Sequence, residues 1–300
     1  MDLRKQDFSP SVLDFGPVVF YLARHFGFCY GVQSRGIEFI MDTEGNQLIP
    51  WEQLKPEDVL IIPAFGTTLE IENRLLNMGL EVQKYNTTCP FVEKVWNRAD
   101  KLGKDDYTVI IHGKPKHEET RATFSHSADS GPSVIVRNME EAQRLGEYLL
   151  GNKSKADFFE EFDGRYSKEF DPEQHLQRVG VVNQTTMLAT ETQAIADYFR
   201  QLMLQKYGAA EIKKHFADTR DTLCYATNDN QDATYQLLET DADLAIVVGG
   251  YNSSNTSHIV DLCARKFPTY FINSEKEIKS GAEIHHYDYH AKEHQVTGDF

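Results

Sequence analysis

Three of the four cysteines in this chain sit in short contexts where a strand or turn meets a helix. They are Cys29 in Gly27-Phe28-Cys29-Tyr30-Gly31-Val32, Cys89 in Thr87-Thr88-Cys89-Pro90, and Cys224 in Asp221-Thr222-Leu223-Cys224-Tyr225. Cys263 lies in an ordinary helical pattern and reads as packing. Taken singly, each of the three is better explained as a small buried residue than as a ligand. Taken together, three thiolates from separated segments form a soft donor set of the kind that selects iron–sulfur clusters, zinc or copper(I). Three donors suit a cubane with one open iron better than a closed structural zinc site, which normally takes four. Pro90 favours the first turn of a helix, placing Cys89 near an N-cap, where the positive end of the helix dipole favours a thiolate.

Other residue groups carry further chemistry. His117 and Glu119 stand two apart at a loop or first helical turn; the imidazole can donate to an anion, and a carboxylic acid can give a proton to a leaving hydroxyl. The plain alternative is that Glu118 and Glu119 complement a helix N-terminus. Asn252-Ser253-Ser254-Asn255 opens a helix with hydroxyls, amides and free backbone N–H groups, a phosphate cradle that needs no lysine and equally an ordinary N-cap. Thr185 and Thr186 can hydrogen-bond a substrate or simply end a strand.

The elements that must position these groups follow from an alternation of short apolar runs with amphipathic stretches. Val18–Ala23, Val59–Ala64, Tyr107–His112, Ser133–Val136, Val179–Asn183, Leu244–Gly249 and Thr269–Ile272 are expected as buried strands. Thr68–Met78, Pro90–Leu102, Met139–Leu150, Thr190–Tyr207 and Ser254–Lys266 carry helical spacing. The pattern predicts an α/β protein with mostly parallel sheets, ligands gathering beyond the carboxyl ends of the strands. The loops after His112, Asn183 and Gly249 are the candidates to converge. Asp157–Glu173, crowded with Asp, Glu and Phe, reads as an acidic surface insertion or mobile loop whose aromatics form a satellite cluster or a partner surface.

The formal charge of −15 argues against a nucleic-acid binder and means that an anionic substrate must be held by local donors. Four cysteines without close pairing give no disulfide framework. No apolar run approaches the roughly 20 residues of a spanning helix, and Met1–Asp7 lacks the apolar region of a secretory signal. A cytoplasmic protein, with no membrane and no nucleic-acid partner, is expected.

In their order, Gly27–Val32, Thr88-Cys89-Pro90, His117–Thr120, Gln184-Thr185-Thr186 with Asp221–Thr227, and Asn252–Asn255 resemble the 4-hydroxy-3-methylbut-2-enyl diphosphate reductase family, in its cyanobacterial and plant-type branch. The likeness spans roughly residues 18–290. It implies three small α/β domains around a central four-iron, four-sulfur (4Fe-4S) cluster held by Cys29, Cys89 and Cys224. These are expected at 30–89, at 90–207 with the acidic insertion 157–173, and at 208–300 with the strand 18–28, after an N-terminal extension 1–17. The resemblance further implies that His117, Ser253, Ser254 and Asn255 bind the diphosphate, that Thr185 orients the allylic hydroxyl, and that Glu119 supplies the proton expelling it as water. Ferredoxin or flavodoxin is the implied electron donor, and the plastid stroma the implied location in a plant-type cell.

The sequence departs from that pattern in three places. After Val32, about 30 residues of strand–helix–strand are expected to be missing, which would expose sheet edges and apolar surface. Phe65 stands where many bacterial members have a histidine, and the sequence stops at Phe300, before the Gly-Ala-Ser-type loop in which the resemblance implies a further phosphate-binding serine. Two other functions therefore stand beside the reductase: a non-catalytic iron–sulfur electron-transfer or redox protein, and an inactive truncated homologue.

Overall fold

The computed structural model describes residues 11–14, 19–22, 38–42, 44–218 and 225–299. By its internal contacts the chain divides into two units, Arg35–Leu223 and Met1–Ser34 with Cys224–Phe300. The elements of the second unit's N-terminal part are β1 (Ser11–Asp14) and β2 (Val19–Leu22), an antiparallel pair. The unit Arg35–Leu223 then contains α1 (Leu69–Asn77), α2 (Pro90–Lys104), β3 (Thr108–His112), α3 (Glu118–Ser130), β4 (Ser133–Val136), α4 (Met139–Leu150), α5 (Lys155–Glu161), α6 (Pro172–His175), β5 (Val179–Asn183), α7 (Ala189–Tyr207), α8 (Ile212–His215) and β6 (Phe216–Ala217). The chain continues with α9 (Tyr225–Leu238), β7 (Ala245–Val248), α10 (Ser254–Ala264), β8 (Thr269–Ile272), β9 (Ile278–Ser280), β10 (Glu283–Asp288) and β11 (Glu293–Gly298).

The α/β class holds: the runs at Tyr107–His112, Ser133–Val136, Val179–Asn183, Leu244–Gly249 and Thr269–Ile272 give parallel strands, whereas Val19–Leu22, within the expected run Val18–Ala23, pairs antiparallel with β1. In Arg35–Leu223 the sheet order is β4-β3-β5-β6, all parallel. Every residue of β3, β4 and β5 is buried, which explains why these strands read as continuous apolar runs rather than alternations. One side of the sheet carries a core around Ile110, Val134, Leu145, Leu149, Ile195 and Phe199; a second cluster joins Val95, Ala99 and Leu102 of α2 to Val109, Ile111, Ile135 and Val182. The pairing of Phe216–Ala217 with β5 extends this sheet past residue 208, where a further domain was expected to begin.

Two expectations are corrected. Asp157–Glu173 is no mobile surface loop: α5 and the following turn bury Phe158, Phe162 and Phe170 at 0 %, 0 % and 3 % exposure in the main core. Phe158 and Phe162, one helical turn apart, stack with ring centroids 5.2 Å apart, while Glu160 faces solvent and the half-buried Glu161 accepts from the Tyr148 hydroxyl and from Lys153. Val59–Ala64 is not a strand either. Only Ile62 bridges, in parallel, to Asn86, and Val59 and Ile61 are 71 % and 48 % exposed; among the described residues no neighbouring strand completes a ladder here. A small cluster of Trp51, Ile62, Leu75, Leu80 and Val82 is the core of this stretch.

Between β3 and β4 lies α3, a helix without an apolar stripe. Its buried positions are Ala122 together with Glu119, Thr120, Thr123, Ser125 and Ser127, small polar residues that let the helix lie close against α2. Gly103 and Gly131 meet so closely that a Cβ on Gly103 would lie 2.7 Å from the Ser130 carbonyl group. The Trp96 indole N–H donates to Thr123 Oγ1 at 3.1 Å across the same contact.

In the other unit, β7 and β8 pair in parallel with Ala245 opposite Thr269, and β9, β10 and β11 form an antiparallel sheet that the apolar runs did not reveal. Cys263 is packing, as expected: it is buried among Ala245, Val247 and Phe267, and burial pushes its thiol up to about 11. Among the described residues no helix is long and apolar enough to cross a membrane.

Candidate active site

β3 and β5 end side by side, His112 opposite Asn183, so the chain leaves both strands at the same carboxyl edge of the sheet. After β3, a tight turn closed by the His117 N–H on the Lys114 carbonyl (2.9 Å) delivers His117 as the N-cap of α3. After β5 come Gln184, Thr185 and Thr186. Gln184 is fully buried and ties the two exits together. Its Oε1 accepts from the Lys114 N–H at 3.1 Å and from Thr120 Oγ1 at 2.9 Å, its Nε2 donates to Thr186 Oγ1 at 2.7 Å, and its own N–H donates to the His112 carbonyl at 2.8 Å. Gly113 fits because it has no side chain: a Cβ there would meet Thr120 Oγ1 at 2.5 Å and Gln184 Cβ at 3.1 Å.

Within this frame Glu119 is wholly buried. One carboxyl oxygen, Oε1, accepts from the Thr185 backbone N–H. The other, Oε2, has no hydrogen-bond partner among the described residues. Burial lifts the carboxyl from 4.5 to about 7; the hydrogen bonds from Thr185 oppose that rise and Glu118 adds to it. A group so placed carries its proton at near-neutral pH and has one oxygen from which to give it up.

His117 has the complementary character. Its Nδ1 accepts the Glu119 N–H at 3.2 Å, so the neutral ring carries its proton on Nε2 as a donor. Burial, reinforced by Lys114 and Arg121, depresses it from 6.5 to about 4, and the imidazole is therefore neutral at physiological pH. Phe65 packs edge-on against it, centroids 5.2 Å apart. The preceding residue, Ala64, accepts the Cys89 N–H at 2.8 Å, which ties the Cys89 backbone to the segment that touches His117. Cys89 is the N-cap of α2 with Pro90 in the first turn, its side chain makes no capping hydrogen bond, and it is half-buried and free. That environment suits a thiolate ligand. Cys29 and Cys224 lie outside the described residues, and among the described residues no three metal-binding side chains cluster.

Ser253, Ser254 and Asn255 open α10 in the other unit. Ser253 Oγ accepts from Thr256 N at 3.2 Å and from Thr256 Oγ1 at 3.0 Å. With both lone pairs engaged, its hydroxyl proton is left to donate outward, as an anion would require. Asn255 Oδ1 is buried with no hydrogen-bond partner among the described residues. The structure thus brings His117, Glu119 and Thr185 together in one unit, with Cys89 tied to the Ala64–Phe65 segment that touches His117, and Ser253, Ser254 and Asn255 together in the other. Gln184 and Thr120, which hold the first group in place, had no role assigned from the sequence. They were visible only as members of polar motifs, because uncharged side chains suggest no chemistry until their partners are known.

The family profile described as LytB protein matches residues 33–291. This chain belongs to the LytB family. Among its relatives, the 4-hydroxy-3-methylbut-2-enyl diphosphate reductase of Picosynechococcus is 38 % identical over 307 residues, covering 90 % of this chain and 74 % of the relative. That of Nostoc punctiforme is 37 % identical over 310 residues, covering 92 % and 75 %. The solved E-1-hydroxy-2-methyl-but-2-enyl-4-diphosphate reductase of Plasmodium falciparum shares the fold, with a TM-score of 0.52 and 23 % identity over 72 % of this chain and 56 % of that one. The 307 positions aligned with the Picosynechococcus LytB protein draw on 90 % of 300 residues, about 270, so about 37 positions have no residue of this chain opposite them.

Proposed function

We propose that this LytB chain reductively removes the allylic hydroxyl of 4-hydroxy-3-methylbut-2-enyl diphosphate. Two electrons and two protons convert the C–O bond to a C–H bond and release water, giving isopentenyl and dimethylallyl diphosphates. The observation that carries the chemistry is Glu119, a buried carboxyl with a pKa of about 7, one oxygen held by Thr185 and the other without a partner among the described residues. In that position Glu119 gives its proton to the departing hydroxyl from Oε2, and Thr185 fixes the carboxyl plane while its hydroxyl orients the substrate oxygen. Neutral His117 donates Nε2–H to a phosphoryl oxygen. Ser253, with Ser254 and Asn255 at the start of α10, holds the diphosphate by hydroxyl, amide and backbone N–H donors. The substrate's negative charge needs these donors because the chain as a whole repels it.

Cys29, Cys89 and Cys224 would hold a 4Fe-4S cluster; Cys89 at its helix N-terminus fits as a thiolate donor. When bound, such a cluster supplies one-electron transfer and a Lewis-acidic iron. Ferredoxin or flavodoxin would be the electron donor, in the cytoplasm or, in a plant-type cell, the plastid stroma. The three-domain organisation is likewise proposed, with the apolar core around Trp51 and the four-stranded sheet as two domains and the β7–β8 region in the third. The test is anaerobic purification with iron and sulfide analysis, followed by oxidation of reduced methyl viologen with and without the allylic diphosphate. Cluster-bearing protein with substrate-dependent oxidation is expected. Protein without a cluster, or a cluster whose reductant oxidation ignores the substrate, would overturn the proposal.

A further inference from the structure

The loop Gly249–Asn255 is anchored at a residue that the chemistry above leaves unused. The Ser253 N–H donates to the Gly250 carbonyl at 2.9 Å, so Tyr251 and Asn252 are the two corner residues of the turn that presents Ser253. The phenol of Tyr251 points away from that turn. Its hydroxyl reaches both carboxyl oxygens of Glu277, each at 2.7 Å, and takes a further backbone hydrogen bond from Asn273. Its ring lies against three others: Tyr287 at 4.4 Å, Phe271 at 5.1 Å and His294 at 5.3 Å between centroids. These come from β8, β10 and β11, and Glu277 immediately precedes β9. The Gly249 N–H, at the other end of the loop, donates to the Ile272 carbonyl at the end of β8 (3.0 Å). Loops of this kind are ordinarily the mobile part of a fold; this one has its corner fixed to two sheets.

We infer that Tyr251, through Glu277, is a positioning residue for diphosphate binding: the C-terminal sheet β9–β11 sets the orientation of the Ser253–Asn255 donors. This rests on the reading of Ser253–Asn255 as a diphosphate site. A preorganised donor set binds its anion without the entropic cost of ordering the loop, and that advantage is felt in binding more than in the chemical step. Because the phenol and the carboxylate act as one link, removing either should have the effect of removing both.

The experiment compares wild type, Tyr251→Phe, Glu277→Ala and the double variant in the full-length, cluster-loaded protein. Two readouts are taken: kinetic constants for the allylic diphosphate, and binding of inorganic pyrophosphate by calorimetry. Tyr251→Phe keeps the ring and its packing. Its KM and its pyrophosphate Kd are expected to rise together by about three- to tenfold, an effect of order 1 kcal/mol in binding, with kcat moving less than twofold. The double variant should be no worse than the single ones. Unchanged KM and Kd in folded Tyr251→Phe, a fall in kcat alone, or additive losses in the double variant would each overturn the inference. Should wild type bind pyrophosphate but not turn over, the proposed activity fails while the Kd comparison still decides the role of Tyr251. Wild type that neither binds nor turns over would refute both.

Discussion

Replacing Glu119 by Gln separates what the active site needs from what the fold prefers. The carboxyl is lifted from 4.5 to about 7, mainly by burial. Below pH 4.5 both the folded and the unfolded chain hold the proton and burial carries no ionisation cost. As pH rises from 4.5 to 7 the unfolded chain releases its proton and the folded chain keeps it, so stability falls; above about pH 7 the loss levels off at about 3 kcal/mol. The glutamine of the variant does not titrate. Its amide leaves a buried N–H₂ where Oε2 stood, but that cost is the same at every pH. The stability of the variant relative to wild type should therefore increase by about 2–3 kcal/mol between pH 5 and pH 8. For a unit the size of Arg35–Leu223 this corresponds to a relative gain of about 5–10 °C in melting temperature. The assay is urea and thermal unfolding of both proteins at the two pH values, followed by tryptophan fluorescence, with turnover measured on the same preparations. Turnover should fall by about 10²- to 10⁴-fold, the usual value of a lost proton donor. If the stability difference between variant and wild type is flat from pH 5 to pH 8, Glu119 does not hold a buried proton and the reasoning is wrong.

Three other outcomes follow from the same geometry. Turnover of the wild type should decline above about pH 7 as Glu119 ionises, while His117, held near 4, should produce no acid limb between pH 5 and pH 7; a pH profile of kcat checks both. Gly113→Ala forces a Cβ against Thr120 and Gln184 and should cost about 1–3 kcal/mol of stability. Because those two side chains hold the strand exits in register, it should also lower turnover by at least about tenfold (of order 1.4 kcal/mol on the barrier), and wild-type kinetics in this variant would refute the role given to Gln184. Phe162→Ala should cost about 3–5 kcal/mol in urea unfolding, because the ring is fully buried in the main core; a cost near zero would return the acidic segment to the surface.

Where burial is two-sided and apolar, the fold could be read from the chain directly. Ser133–Val136 and Val179–Asn183 are strands with the bounds their apolar runs suggest; half-buried Thr269–Ile272 matches its run as well, and Met139–Leu150 is a helix over its whole amphipathic stretch. Helix α3 escaped because its packing face is Thr and Ser against a glycine of α2, a contact made by closeness rather than by hydrophobic side chains. The acidic composition of 157–173 concealed a Phe158/Phe162 pair at helical spacing. Val59–Ala64 shows the opposite failure: an apolar run makes a strand only where a neighbour supplies the ladder, and only Ile62 has one. In the site, Glu119, His117 and Thr185 were legible as a set through their family resemblance. What the sequence could not disclose was that burial separates the titrations of Glu119 and His117 so far, or that one amide, Gln184, holds both strand exits.

The most direct test of the central claim is an electron count. The anaerobically prepared protein is given a limiting amount of the allylic diphosphate and excess reduced viologen, and reductant consumed and products formed are measured together. The account predicts two electrons consumed for each diphosphate lost, with isopentenyl and dimethylallyl diphosphates together accounting for all of it. Reductant oxidation without loss of the hydroxyl, or loss of the substrate without these two products, would contradict it.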